Sequence, residues 1–236
     1  MKKRLLAGLI IALFLMTSIV HAAPYNGNNM NGFGGAVGFG VLEINNNGDN
    51  LSLSLTKGAG DLNEWLVVYI DSVSGGITTT GNLIPDFSDD DRSAVTGAGS
   101  GALIFGSSFG ADYAISFSAL GGGRLFGFGL EGVSQLITNL GGNGNPSDPI
   151  FNFSTQLSDI NIAAGDVFSF VGTYLNSPSG FRSNEGFSFP PVIDNPGFND
   201  IPINSYFTHQ STVPVPGAVW LLASGLIGIV GLRRKI

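Results

Sequence analysis

The sequence predicts an all-β fold, a single antiparallel β-sandwich of about nine or ten strands, flanked by an N-terminal signal helix and a C-terminal transmembrane helix. Two observations predict the sandwich. Short segments alternate apolar and polar residues with the two-residue period of a half-buried strand. Clusters of Gly, Asn, Ser and Pro, which favour turns, separate these segments at the spacing that a sandwich requires.

Individual strands follow from this alternation. Residues 51–55 read LSLSL, and shorter segments of the same kind occur at residues 115–118, 151–153 and 168–170. Residues 65–70 read WLVVYI, a continuous apolar run that predicts a central strand covered on both faces. Residues 124–130 read RLFGFGL, in which the glycines predict a bulge or a close backbone approach. Residues 133–140 weakly suggest an amphipathic helix.

The chain divides into five parts. A signal peptide occupies residues 1–22, and the Gly- and Asn-rich residues 23–38, which show no periodicity, predict a flexible leader. The β-sandwich occupies residues 39–190. Residues 191–212 are rich in proline and polar residues, so we expect an edge strand at most and then a stalk. A segment with a transmembrane helix follows at residues 213–236.

The N-terminus has the three parts of a secretory signal peptide. Lys2, Lys3 and Arg4 come first, residues 5–20 carry no charge, and Ala22 supplies a small residue at the end. We expect signal peptidase to cut after Ala22, and the alternative is an uncleaved N-terminal anchor. The chain has no cysteine, which excludes disulfides and a lipidated N-terminus.

Charge is distributed unevenly along the chain. Four of the ten Lys and Arg and all 17 Asp and Glu lie within residues 23–212, which gives this part a net charge of -13. A body this acidic repels nucleic acid and anionic membrane surfaces. We therefore expect no nucleic-acid partner.

Histidine is scarce, which narrows the possible chemistry. His21 lies in the signal peptide and His209 in the predicted stalk, so the predicted sandwich contains none. This excludes Ser-His-Asp and Cys-His nucleophilic sites, as well as zinc or iron held by histidine. We therefore expect that the protein is not an enzyme. A carboxylate-only glycan hydrolase remains the alternative, because such an enzyme needs only two carboxylates across a cleft.

The densest carboxylate group lies in one short segment, PDFSDDDR. Its acidic residues are Asp86, Asp89, Asp90 and Asp91. Oxygen ligands on a loop suit calcium, although their spacing matches no EF-hand. A calcium site is one interpretation, and a solvated acidic loop partly neutralised by Arg92 is the other.

Trp65 is the aromatic residue that bears most on sugar binding. A lectin-like site stacks a sugar on an exposed Trp or Tyr ring, whereas Trp65 begins an apolar strand. The sequence therefore favours a core position for Trp65. A carbohydrate-binding module, with or without calcium, remains the alternative.

The C-terminal segment reads VPVPGAVWLLASGLIGIVGLRRKI. Residues 217–232 are uncharged, and a helix of that length spans about 24 Å, short of the ~30 Å hydrocarbon core. With residues 213–216 included, the segment can just cross the inner membrane, and the basic end stays in the cytoplasm by the positive-inside rule. The simplest interpretation is a permanent anchor.

This segment resembles the PEP-CTERM sorting signal of Gram-negative bacteria, in the variant that opens with V-P-x-P and continues with A-V-W-L. Val215 stands where the name-giving motif has Glu. The residues that carry the resemblance include Val213, Pro214, Val215, Pro216, Trp220, Arg233, Arg234 and Lys235.

The resemblance implies processing by an exosortase, a membrane protease and transpeptidase that cuts near residues 214–216. It implies an exported protein that is first anchored in the inner membrane through residues 217–232. After processing, the protein reaches the cell surface or the exopolysaccharide matrix. The expected role is structural or adhesive, as a component of the biofilm matrix.

Overall fold

The computed structural model describes residues 23–129 and 131–212, and this part of the chain consists mostly of antiparallel β-sheet. In chain order the strands are β1 (Ala23–Asn26), β2 (Val41–Asn47), β3 (Asn50–Thr56), β4 (Trp65–Asp71), β5 (Leu103–Phe105), β6 (Tyr113–Ser118), β7 (Gly122–Phe128), β8 (Ser134–Gly141), β9 (Ile150–Gln156), β10 (Val167–Leu175), β11 (Arg182–Phe187), β12 (Ile201–Ile203) and β13 (Phe207–Gln210). One α-helix, α1 (Asp90–Thr96), and two 3-10 turns, Thr80–Asn82 and Leu157–Ile160, complete the described elements. The predicted all-β fold is confirmed.

Two antiparallel sheets form the sandwich. The smaller has the order β1-β2-β3-β9, and the larger has the order β11-β10-β4-β6-β7-β8, with β13 also paired to β10. A separate parallel pair joins β5 and β12. The described strands outnumber the nine or ten expected because β1, β5, β12 and β13 have only three or four residues each. Segments this short show too little alternation to be recognised.

The inner core lies between the two main sheets. In β3, Leu51, Leu53 and Leu55 are buried, whereas the serines between them are partly or fully exposed. These leucines belong to the same apolar cluster as Ile115 and Phe170 of the larger sheet. Each buried leucine contributes about 1.5–3 kcal/mol of hydrophobic stabilisation.

The central position of β4 confirms the interpretation of the WLVVYI segment. β4 pairs with β10 on one side and β6 on the other. Its Val68 faces the inner core, and its Val67 and Tyr69 face an outer layer formed by α1, β5 and β12. The Tyr69 hydroxyl donates a hydrogen bond to the Val95 carbonyl of α1 at 2.9 Å. Both faces of the strand are therefore covered.

The sandwich has two ends, which are set by where its strands begin and finish. β2 and β9 finish, and β1, β3 and β10 begin, near Ala23 and Thr212; we call this the terminal end. β4 and β7 begin, and β3, β6 and β10 finish, at the opposite end, which we call the distal end. At the terminal end the Ser72 hydroxyl donates to the Ile160 carbonyl at 2.7 Å, which ties loops of the two sheets together.

The structure corrects the prediction of a flexible leader at residues 23–38. This segment supplies β1, which pairs with β2, and then a Gly-rich loop that wraps around the fully buried Glu185 side chain. The two carboxylate oxygens accept four backbone N–H groups, those of Phe33 (2.5 Å), Gly35 (3.1 Å), Val37 (3.0 Å) and Gly38 (3.1 Å). Buried N–H groups require such partners, so Glu185 holds the loop in place.

The predicted stalk at residues 191–212 also belongs to the fold. β12 packs Ile201 and Ile203 into the outer core, and β13 extends the larger sheet beside β10. His209 is buried, and its Nδ1 lies 3.0 Å from the Tyr25 hydroxyl. The segment therefore ends as paired β-structure.

The helix suggested at residues 133–140 is wrong. These residues form β8, the edge strand that pairs with β7. The one α-helix of the described part, α1, was not predicted from the sequence. Its seven residues are too few to display a helical period, but Asp89 caps it by accepting the Arg92 N–H at 2.9 Å.

The predicted signal peptide at residues 1–22 and the sorting segment at residues 213–236 lie outside the described residues. Among the residues that the structure describes, no helix combines the length and the apolar character that crossing a bilayer requires. The predictions for both terminal segments stay predictions.

Candidate binding cleft at the distal end

A cleft of ≈ 430 Å³ opens at the distal end of the sandwich. The start of β4, the N-terminal turn of α1, the β6–β7 hairpin and the loop around Pro146 surround it. Its lining combines one aromatic ring, several charged groups and apolar side chains. They include Trp65, Asn63, Asp91, Arg124, Leu62 and Leu120. Concave sites with a few convergent polar groups on an apolar surface are the usual form of ligand pockets.

The acidic segment forms one wall of the cleft because α1 begins there. Asp89 caps the helix, while Asp90 and Asp91 lie in its first turn, where negative charge is favourable. Asp90 is exposed, whereas Asp91 is buried. The capped turn therefore fixes the direction of all three carboxylates.

Asp91 and Arg124 form the central ion pair of the cleft. Arg124 Nη1 lies 2.9 Å from Asp91 Oδ2 and 3.7 Å from Asp89 Oδ1. The Ser116 hydroxyl of β6 donates to Asp91 Oδ1 at 2.9 Å. Arg124 lies opposite Ser116 in the β6–β7 pairing, so neighbouring strands deliver both partners to the same carboxylate. The Arg124 side chain lines the cleft and is about one third exposed.

Trp65 lies at the cleft rather than wholly in the core. Its side chain is partly exposed and packs against the outer core. Its indole N–H is buried and faces the Asp91 carboxylate, but it has no partner at hydrogen-bond geometry. Because this N–H is buried, a ligand in the cleft would contact the exposed part of the indole ring rather than the N–H. The core position predicted for Trp65 is therefore only partly correct.

Burial raises the pKa of the Asp91 carboxyl above its ordinary value. The hydrogen bond from Ser116 and the charge of Arg124 act in the opposite direction but do not outweigh burial. A carboxyl whose pKa is raised by folding stabilises the fold below its unfolded pKa. This contribution is lost as the pH rises through the folded pKa.

The variant Asp91→Asn is expected to reveal this dependence of folding stability on pH. The stability advantage of the native chain over the variant should grow as the pH falls from 7 towards 4, because protonation removes the cost of the buried charge. Urea unfolding of both chains at several pH values measures the difference. Asp90→Asn, at the exposed neighbour, is the matched control. A difference that shrinks on acidification would mean that the pairing with Arg124 outweighs burial.

The four residues of the calcium hypothesis do not share one site in the described structure. Asp89 contacts the Arg92 guanidinium, Asp91 pairs with Arg124, and Asp86 Oδ2 lies 3.6 Å from Arg92 Nε. Within residues 23–129 and 131–212, no group of three or more acidic or histidine side chains is arranged to hold a metal. The arginines occupy oxygens that calcium would need, and the calcium site stays a prediction.

The sequence indicated the acidic wall but missed its partners. Arg124 and Ser116 lie 33 and 25 positions after Asp91, and only the pairing of β6 with β7 brings them together. The sorting-signal residues named above all lie beyond Thr212 and therefore outside the described residues.

No family model and no curated protein sequence matches the chain. Among solved structures, the chain is similar to a crystal structure described as a "putative carbohydrate-binding protein" from Bacteroides uniformis. The superposition has a TM-score of 0.42 and 8% sequence identity, and it covers 85% of this chain and 90% of that chain. A likeness of this degree carries no argument about what this chain binds.

Proposed function

We propose that this protein is an exported, non-enzymatic component of the cell surface or exopolysaccharide matrix that adheres by binding glycan in the cleft beside Trp65. The observation that carries the proposal is the juxtaposition of a partly exposed indole ring and the Asp91–Arg124 pair in one cleft. The C-terminal segment delivers the domain through exosortase processing.

The chemistry of the cleft favours a neutral glycan. Sugar rings present apolar C–H faces that stack on an indole, and pairs of hydroxyls that suit carboxylate and guanidinium groups. Asp91 and Asp89 offset the charge of Arg124. The described part carries a net charge of -13, which disfavours an anionic polysaccharide.

A binding role accounts for the carboxylates better than the hydrolase alternative does. A glycosidase requires two carboxylates facing each other across the scissile bond. The three acids that line the cleft, Asp89, Asp90 and Asp91, are consecutive and share one wall. Two of them hold arginine side chains, and Asp89 also caps α1.

A glycan array probed with the exported chain tests the binding proposal. We expect binding to neutral glycans, and weaker binding by Arg124→Gln, which keeps a planar polar group but loses the charge. Lys57→Gln, which changes a cation outside the cleft, is the matched control. Repeating the array with added calcium and with a chelator tests whether calcium assists glycan binding. The absence of any glycan ligand, or equal binding by Arg124→Gln, would contradict the proposal.

The sorting proposal has its own test in cells. Mass spectrometry of surface material should find chains that end near Pro214 or Pro216, because the processing enzyme removes the remainder. Replacement of Arg233, Arg234 and Lys235 by alanine should leave unprocessed chain in the membrane fraction, since the basic end orients the segment. Surface protein that still ends at Ile236 would contradict processing.

A further inference from the structure

Both flanking segments join the domain at the same end. Ala23 pairs with Ile44 across β1 and β2, and Asn46 lies two positions further along β2. Because residues on a strand advance by about 3.3 Å each, the junctions at Ala23 and Thr212 lie within about 15 Å of each other. The 22 residues before Ala23 and the 24 residues after Thr212 therefore connect to one face of the domain.

Asn46 holds the last described residue against β2. Its Oδ1 accepts the Thr212 N–H at 2.6 Å and the Thr212 hydroxyl at 3.0 Å. Its Nδ2 donates to the Thr212 carbonyl at 2.8 Å. Asn46 is itself buried, so this clamp is part of the folded end. The sorting sequence begins at the next residue, Val213, without an intervening linker.

The cleft lies at the opposite end. β10 has nine residues and spans about 26 Å from the terminal end to the distal end. Trp65, at the cleft, pairs with the last residue of β10, Leu175. Leu120, in the β6–β7 hairpin of the cleft, is 76% exposed.

The terminal end presents an acidic face. The titratable side chains at the terminal end are mainly acidic; they include Asp49, Asp71, Asp112, Asp159 and Asp166. An acidic face is not attracted to an anionic lipid surface. Only a covalent connection to a membrane segment would therefore keep the terminal end next to the bilayer.

We infer that the terminal end faces the lipid bilayer in the anchored precursor, with Asn46 positioning the junction and the cleft opening away from the membrane. This inference rests on the proposed sorting function, because it requires the C-terminal segment to enter the membrane. Glycan can then occupy the cleft before processing. Cleavage of the segment releases a face that has no affinity of its own for the bilayer.

Fluorescence quenching in vesicles tests the orientation. The chain lacks cysteine, so Asn47→Cys at the terminal end and Leu120→Cys at the distal end each accept one fluorescent label. The chain from Ala23 to Ile236, which is the form expected after signal peptidase has cut, is reconstituted into phosphatidylcholine vesicles that contain a head-group nitroxide lipid. We expect severalfold stronger quenching of the label at position 47 than at position 120.

A second pair of labelled chains carries a flexible Gly/Ser linker of about 20 residues at the 212/213 junction, which should reduce the difference in quenching between the two positions. Equal quenching at the two positions, or no change with the linker, overturns the orientation alone. A chain that does not associate with the vesicles overturns both the orientation and the anchored intermediate. Glycan binding is measured separately, so its failure leaves the orientation result intact.

Discussion

Glu185→Ala is expected to lower the free energy of unfolding by at least about 3 kcal/mol, because it leaves several buried N–H groups without an acceptor. The Glu185 carboxylate is fully buried and receives four backbone N–H groups from residues 33–38. Its loss should release that loop and weaken the docking of β1. Urea unfolding measures the overall effect, and hydrogen exchange at Gly35 and Val37 localises it.

Glu185→Gln separates the acceptor role from side-chain volume. The amide has the same shape but offers only one acceptor oxygen, so its NH₂ group must oppose two of the four donors. We expect an intermediate loss of stability. Glu43→Gln, at an exposed position of β2, is the matched control and should change little. If Glu185→Ala and Glu43→Gln unfold at the same urea concentration, the carboxylate does not hold the loop.

Trp65→Ala is expected to weaken glycan binding by about 2 kcal/mol, or ~30-fold in Kd, as is typical of aromatic anchors. The ring supplies the only aromatic surface among the described residues that line the cleft. Trp65→Phe should retain part of the affinity, because it keeps a ring for stacking but offers a smaller surface. Isothermal titration calorimetry with a glycan identified on the array measures both variants.

Phe198→Ala is the control for Trp65→Ala, because this ring is 58% exposed and lies outside the cleft. It should leave the Kd unchanged. Trp65 also packs against the outer core, so circular dichroism must show that each variant is folded. Equal affinities for Trp65→Ala and the native chain would remove Trp65 from the binding site.

The strands that the sequence predicted best are those whose environment is periodic. LSLSL alternates because one face of β3 meets the core, and WLVVYI is continuously apolar because both faces of β4 are covered. Such patterns reflect the immediate surroundings of a strand and can be recognised without knowing its partners.

The segment at residues 23–38 escaped prediction for the opposite reason. Its order comes from Glu185, about 150 positions away, and a Gly-rich sequence gives no local sign of such a partner. The residues of β8 weakly suggest a helix because one edge strand with mixed exposure produces an ambiguous period. Arg124 was missed in the cleft because only strand pairing brings it to Asp91.

The acidic segment illustrates how far composition can indicate a site. Its four carboxylates suggest calcium ligands, and three of them, Asp89, Asp90 and Asp91, line the wall of the cleft. What composition could not show is that Arg92 and Arg124 already contact those oxygens. The partners of a charged group decide its role, and they come from other elements of the fold.

The most direct test of the glycan-binding claim is a titration of the exported chain with its glycan, followed by nuclear magnetic resonance of the indole N–H groups. Of the two tryptophans in the sequence, Trp220 lies in the segment that processing removes, and loss of the remaining signal in Trp65→Phe confirms its assignment. We expect the Trp65 indole N–H resonance to shift progressively to saturation as a sugar ring stacks on the exposed part of the indole. A glycan that saturates the protein while this resonance stays unchanged would show that the cleft is not the binding site.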